Sequence, residues 1–387
     1  MHTGSREDGF TLVELLVSMT ITVLVMGAAL TTFNNGLTIN DSAAQISDAN
    51  QNLRAGTNQL IRDLMQAGRI IGTEGIPLPT GAGVQAFARP GPTDGLTFVL
   101  VADEDKTRNL ASITTGYHLG PIINGSRTDI VTIISADEFM PVLQTPPAIA
   151  AKPSESEGTI APDGQSVTLP VNSLWLIGDP TNDTQPIKAG DLVLLKNPLG
   201  MAMLTVTSTD AAHVYFSANS SADWFHFNQF SAPYVPMLLI KQAQPAPPAA
   251  PDTTSEWTQK TTMFRALMIT YYVDNAVDPT SPDEPPTPRL FRRVNHFDPQ
   301  ALAGIVETLD LTYDLVGVVD NPVEVKSLPY PDAIAGPYNS NTIRKVNLRI
   351  GVRSEVVSKP AQDYIRNQVV TSVDVRSLAS KDRYDRE

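Results

Sequence analysis

The sequence contains no cysteine. Disulfides, thiolate metal sites and thiol catalysis are thereby excluded, while the redox compartment stays open, because an oxidising space permits disulfides without requiring them. Histidine is scarce: His2, His118, His213, His226 and His296 are scattered, and none stands at helical spacing from another beside a glutamate, so no zinc-hydrolase helix is encoded. Cations are outnumbered, 28 Lys and Arg against 41 Asp and Glu, and the net charge of −13 argues against a nucleic-acid surface, which needs clustered Lys and Arg. No Gly-x-Ser-x-Gly elbow, Walker loop or dinucleotide fingerprint occurs. Asp179, Asn182 and Asp183 offer oxygen ligands but lack the order of a calcium loop, and they read as a solvated turn. Acidic residues are plentiful, yet the sequence alone pairs no two of them for acid–base work. Nothing here reads as an enzyme, a cofactor site or a metal site.

Charge is also nearly missing from one long run. Between Phe10 and Phe33 the only ionisable side chain is Glu14. A membrane-spanning helix needs about 20 predominantly apolar residues, and this run supplies them. A carboxylate inside such a run costs roughly 2.5–3.5 kcal/mol on insertion scales, so it marks a function by default. The bland alternative is an ordinary anchor whose Glu14 reaches water at the interface. The order of parts is more specific: a short polar leader, then Gly9-Phe10-Thr11-Leu12-Val13-Glu14-Leu15-Leu16-Val17, then the apolar stretch.

That order resembles the type III signal of type IV pilins and pseudopilins. The resemblance implies cleavage by a prepilin peptidase between Gly9 and Phe10, N-methylation of Phe10, and retention of the apolar segment on the mature protein. It also implies that Glu14 pairs with the new terminal amine of a neighbouring subunit. Elementary electrostatics supports that role, since an unpaired carboxylate among apolar helices is costly and a cation at the right height relieves the cost. In the leader Arg6 stands against Glu7 and Asp8, so the positive charge that holds a leader in the cytoplasm rests on Arg6 and the amino terminus.

Beyond the apolar run the pattern becomes amphipathic. Ile46, Leu53, Leu60 and Ala67 recur every seven residues, with Ala49, Thr57, Ile61 and Leu64 on the same side. Asp48, Gln51, Asn52, Arg54, Asn58, Arg62 and Asp63 lie mostly elsewhere, which predicts one buried stripe. One helix over about 10–66 is the simplest reading, with Gly27 and Gly36 as candidate bends and Gly68, Gly72 and Pro77 as the stop. The chain thus divides into a leader (1–9), a membrane or filament-core helix (10–33), its amphipathic continuation (34–72) and a β-rich globular region (73–387).

Within that region Leu96–Val101, Asp129–Ile134, Val167–Leu169 and Ser173–Ile177 read as strands. So do Asp191–Lys196, Met203–Ser208, Val214–Ser217 and Val235–Lys241, four close strands that would make a small barrel or subsheet, a candidate insert over 187–241. Thr209-Asp210 leading into Ala211-Ala212 predicts a hairpin loop. Segments 141–164, 242–255 and 278–288 are Pro-rich and read as loops or linkers, with a docking site as the alternative. Trp224-Phe225-His226-Phe227 reads chiefly as packing, with a partner contact as the alternative.

The C-terminal third alternates with period two. Leu309, Leu311, Tyr313 and Leu315 interleave with Asp310, Thr312 and Asp314; Val346, Leu348, Ile350 and Val352 interleave with Lys345, Asn347, Arg349 and Arg353. Each strand therefore has one covered and one solvated face, and if the two neighbour each other their acidic and basic outer faces meet. The succession Phe264–Val273, Arg289–Arg293, Gly304–Asp314 and Ile343–Ser354 is similar to the PilW branch of minor pilins, related to PulJ-type pseudopilins. Taken together the expectation is an α+β protein, a long N-terminal helix on a β-rich domain. The resemblance implies a minor pilin of a type IV pilus in an initiating or tip complex, or alternatively a type II secretion minor pseudopilin or an anchored adhesin. Its partners would be the peptidase, other major and minor pilins or pseudopilins, the inner-membrane assembly platform and the lipid bilayer. Its location would be the inner membrane, single-pass, with the C-terminal domain periplasmic.

Overall fold

A computed structural model describes residues 11–375 except 70, 72–74, 80–83, 93–95, 98–108, 138, 141–142, 146–158, 162–163, 171, 179–184, 198–199, 219, 230–260, 277–286, 317–323, 329–341 and 359–361. The architecture is α+β: one long helix, α1 (Leu12–Gln66), followed by a β-rich region. The chain forms two compact units, residues 1–51 with 353–367, and residues 52–352 with 368–387.

Helix α1 is continuous through Gly27 and Gly36. A Cβ added at either glycine would meet nothing within 4 Å. The helix stops where expected, because Gly68 takes the left-handed backbone (φ +73°) that side chains disfavour and its N–H donates to Ile134 O at 3.1 Å. In the larger unit the predicted stripe is buried at Leu53, Thr57, Leu60, Leu64 and Ala67. Ile46, in the smaller unit, is 43% exposed and departs from the stripe, although Ala49 is buried.

Two residues that the periodicity does not single out fix how α1 packs. Gly56 is buried, and a Cβ there would stand 2.9 Å from Ala303 Cβ and 3.1 Å from a Leu290 methyl, so the bare backbone lets the helix sit close on the sheet. Asp63 was placed by pattern on the outer side; it is instead buried, and its carboxylate accepts from Tyr271 Oη at 2.6 Å and Arg292 Nε at 2.7 Å. Burial, reinforced by the Asp63 charge, pushes the Tyr271 hydroxyl's pKa up. Burial pulls the Arg292 pKa down, but Asp63 and Tyr271 outweigh it and the net shift is upward. Gln59 Nε2, one helical turn back, donates to the other oxygen at 3.2 Å, so the carboxylate ties the helix to two strands through Tyr271 and Arg292.

The principal sheet is built on a long strand. We label its members β1 (Ile113–Gly116), β2 (Ile130–Ala136), β3 (Leu143–Thr145), β4 (Leu192–Asn197), β5 (Gly200–Thr205), β6 (Thr261–Ala276), β7 (Thr287–Val294), β8 (Gln300–Val316), β9 (Glu324–Leu328), β10 (Ile343–Ser358) and β11 (Asp363–Asp374). The order is β5-β4-β6-β7-β8-β10-β11, with β2 and β3 on the other edge of β6, β1 on β2, and β9 on β8. Strand β6 reaches this number of partners by length: residues 262–266 pair with β4 and 269–276 with β7 along one edge, while 261–263 pair with β3 and 266–271 with β2 along the other.

The period-two reading of the C-terminal strands holds in register. Strands β8 and β10 are antiparallel neighbours, with Leu309 opposite Ile350, Leu311 opposite Leu348 and Tyr313 opposite Val346 on the buried face. On the other face Asp310 lies opposite Arg349 and forms a salt bridge with it, and Asp314 lies opposite Lys345 while accepting from Asn347 Nδ2 at 2.8 Å.

Three local expectations are corrected. Ser173–Ile177 is not a strand: Leu174–Ile177 is one helical turn, α2, started by the Ser173 side chain, which accepts from Trp175 N, and stopped at Gly178 (φ +76°). The apolar run Leu-Trp-Leu-Ile is turned into a helix by a capping serine and a flanking glycine. Of the four close strands, the three that lie among the described residues do not form one subsheet. Strands β4 and β5 join the principal sheet, whereas Ser208–Thr209 and His213–Tyr215 pair in a separate four-stranded sheet with Thr159–Ile160 and Ser166–Thr168. Burial on both faces explains the split: Val193 and Leu195 enter one core cluster with Trp175 and Val214, while Leu192 and Leu194 enter another with Ile134 and Phe225. The Pro-rich segment 141–164 is not wholly loop, since β3 and Thr159–Ile160 lie within it. The hairpin loop at Asp210 is as expected, with Asp210 N donating to His213 O at 3.0 Å. The expected strand at 235–241 and the Pro-rich segment 242–255 lie outside the described residues, as do most of 278–288 and Asp179, Asn182 and Asp183.

Two stability outcomes follow from this packing. Asp63→Ala leaves Arg292 and Tyr271 buried without their acceptor and should cost about 3–5 kcal/mol, whereas Tyr271→Phe, which removes one of the three side-chain donors to Asp63, should cost about 1 kcal/mol. Chemical denaturation of the full chain in detergent measures both, and a near-zero effect of Asp63→Ala would refute the tie. Gly56→Ala should destabilise by about 1–3 kcal/mol through overpacking, while Gly36→Ala, with open space around it, should be neutral or stabilising by up to about 1 kcal/mol.

Candidate functional site

The N-terminal stretch of α1 presents an apolar surface that none of the described residues covers. Every residue from Thr11 to Leu37 is exposed, and the helix is long enough and apolar enough to cross a membrane. Leu12–Phe33 spans about 33 Å at ~1.5 Å per residue, the thickness of a hydrocarbon core. Such a helix must hide its polar groups, because lipid offers them no partner. Its hydroxyls do so within the helix: Ser18 Oγ donates to Leu15 O at 2.9 Å, Thr20 to Leu16 O at 2.8 Å, Thr22 to Ser18 O at 2.7 Å, Thr31 to Gly27 O at 2.8 Å and Thr32 to Ala28 O at 2.9 Å.

Glu14 is the exception in kind. It lies in the first turn, where the partial positive charge of a helix N-terminus favours a carboxylate. Thr11 is its partner: Thr11 N donates to Glu14 Oε2 at 3.1 Å, the Thr11 hydroxyl donates to the same oxygen at 2.9 Å, and Glu14 N donates back to the Thr11 hydroxyl at 3.3 Å. This is a capping box, two end-of-helix N–H groups satisfied by two side chains three residues apart. The Thr-x-x-Glu spacing was readable in the sequence, but the carboxylate drew attention only as a buried charge, and Thr11 was passed over. The two donors to Glu14 both meet Oε2, and neither is a cation. Among the described residues no donor meets its second oxygen, Oε1.

Gly9 and Phe10, the expected cleavage position, lie outside the described residues. Among the described residues no group of three or more His, Cys, Asp or Glu is placed to hold a metal. Trp224 to Phe227 divide their roles: Phe225 and Phe227 are buried in a core cluster, and Trp224 is 46% exposed.

Set against known families, residues 4–30 match the model described as the prokaryotic N-terminal methylation motif. No curated protein and no solved structure matches the chain. The matched span covers the expected cleavage position, the capping box and most of the apolar half of α1. The chain carries a prepilin-type N-terminal methylation motif on a helix of membrane-spanning length, and this motif is what supports a type IV pilin-like protein.

Proposed function

We propose that this chain is a minor pilin of a type IV pilus. A prepilin peptidase cuts it between Gly9 and Phe10 and methylates Phe10, and the product joins an initiating or tip complex of the filament. The observation that carries this reading is Glu14: a carboxylate on an uncovered, membrane-length apolar helix, held by Thr11 through neutral donors alone. In the bilayer the capping box keeps that carboxylate tolerable near the helix end. In a bundle of such helices, a terminal amine on a neighbouring Phe10 would add the cation that Thr11 does not supply, and the pair would register one subunit against the next. The β-rich region is then periplasmic and the precursor single-pass in the inner membrane, with the assembly platform and other pilins as partners. A bulky region carrying an extra four-stranded sheet suits a place used once per filament better than a tightly repeated shaft.

Two experiments test the reading. Mass spectrometry of the mature protein, from cells with an active prepilin peptidase, should find an N-terminus at Phe10 bearing one methyl group. An intact Met1 terminus, or cleavage beyond the apolar segment, would end it. Glu14→Gln should leave insertion and cleavage unchanged and reduce recovery of the protein in cross-linked pilin complexes by about tenfold or more, the loss expected when a buried charge pair forfeits one partner. Recovery at the wild-type level would remove the electrostatic registry. Partners co-purifying with the cross-linked wild-type chain separate a pilus from a secretion pseudopilus.

A further inference from the structure

Two Asn-Gly steps occur in the chain, Asn35-Gly36 and Asn124-Gly125. This dipeptide has a chemistry of its own. No side chain on the glycine hinders its nitrogen, which can attack the asparagine side-chain amide and close a five-membered ring. Whether it does so depends on the backbone that carries the step, and the two backbones differ.

Exposure does not separate them, since all four residues are exposed. Asn35 and Gly36 lie well inside α1, where each N–H is engaged with a carbonyl four residues back. Closing a ring from Gly36 N to Asn35 Cγ requires the Asn35 ψ to leave its helical value, so the helix must open around the step. Asn124-Gly125 is instead the two-residue loop of a hairpin whose arms are Ile122–Ile123 and Ser126–Arg127, with Ile123 opposite Ser126 and Ile122 opposite Arg127. Both loop residues take positive φ, +49° at Asn124 and +82° at Gly125, the mark of a type I′ turn. Asparagine tolerates that backbone better than most residues and glycine takes it freely, so the turn geometry itself calls for the reactive pair.

The reacting groups are also unencumbered. Among the described residues neither the Asn124 side chain nor the Gly125 N–H takes part in a hydrogen bond. A Cβ added at Gly125 would meet nothing within 4 Å, so nothing packs over the nucleophile. The hairpin is anchored at its base and not at its tip. Gly120 N donates to Thr128 O at 2.9 Å and Thr128 N to Pro121 O at 3.1 Å. Asp129 accepts from His118 N and Leu311 N, each at 2.8 Å, and ties the base to β8. Between those anchors and the loop stand two residue pairs, and Ile123 is the one buried residue from 122 to 127. An element with so few buried contacts opens at low cost while its base stays closed.

We propose that Asn124 is a site of spontaneous deamidation. In the opened tip the Gly125 nitrogen bonds to Asn124 Cγ, the Cγ–Nδ2 bond breaks, and Nδ2 leaves as ammonia with the proton that Gly125 N gives up. Water then hydrolyses the cyclic imide. Cleavage of the new Cγ–N bond yields aspartate. Cleavage of the original bond to the Asn124 carbonyl carbon yields isoaspartate, whose main chain runs through the former side chain. No electrons are exchanged, and water is the co-reactant. Either product adds negative charge to a chain already at −13. Isoaspartate also lengthens the backbone of a two-residue loop, which breaks the match between the type I′ turn and the pairing of Ile123 with Ser126.

The test is mass-spectrometric peptide mapping of the full-length chain aged in mildly alkaline buffer, in detergent micelles and, separately, in denaturant. In the folded chain Asn124 should convert at least about tenfold faster than Asn35, a barrier difference of about 1.4 kcal/mol. In denaturant, where both backbones are free, the two rates should agree within about threefold. Aspartyl and isoaspartyl peptides should both appear at position 124. Gly125→Ala should slow conversion of Asn124 in denaturant about tenfold or more, because the added methyl hinders the nitrogen, and this readout does not depend on folding. A folded-chain rate at Asn124 no higher than at Asn35, or conversion of Asn124 that Gly125→Ala leaves unaltered, would overturn the proposal.

Discussion

A carboxylate removed from water must find its hydrogen bonds and its counter-charge elsewhere, and helix α1 meets that demand in two different ways. Asp63 is satisfied within its own chain, by the Tyr271 hydroxyl and the Arg292 guanidinium, so that end of the helix is locked to the sheet. Among the described residues Glu14 is satisfied by the hydroxyl and N–H of Thr11, which provide hydrogen bonds but no cation. The same physics therefore closes one end of the helix and leaves the other electrostatically open. A protein that must stay folded by itself, yet join others through one helix, has use for both conditions on a single element.

Much of this was legible because it depends on local rules. The extent of α1 follows from an apolar run continuous with a heptad-spaced stripe, and its end follows from a glycine able to take positive φ at position 68. The ladder of β8 and β10 follows from strict alternation, which fixes register up to a shift of two and so forecasts which charges meet. Asp63 and Gly56 were illegible because periodicity assigns faces by residue type. A buried aspartate and a buried glycine break the pattern for reasons that lie in distant strands, residues 271 and 292 for the one, 303 and 290 for the other. Likewise Ser173–Ile177 has the composition of a strand, and only the cap geometry on Ser173 reverses it. The capping box at Thr11 was a different kind of miss, since its signal was present in the sequence and was outweighed by the unusual charge beside it.

The split of the four neighbouring strands shows why strand grouping resists sequence reading. Leu192-Val193-Leu194-Leu195 is apolar on both faces, the mark of a strand covered on two sides, and no small subsheet supplies two covers. Its faces go instead to two core clusters, one containing Trp175 from α2 and one containing Phe225 and Phe227. That division is also what fixes the 223–229 loop. With Phe225 and Phe227 drawn into the core, the intervening His226 must turn the chain, and Trp224 is left on the surface beside it. Trp224-Phe225-His226-Phe227 is thus mostly packing, with the two phenylalanines buried and Trp224 left at the surface by the same alternation.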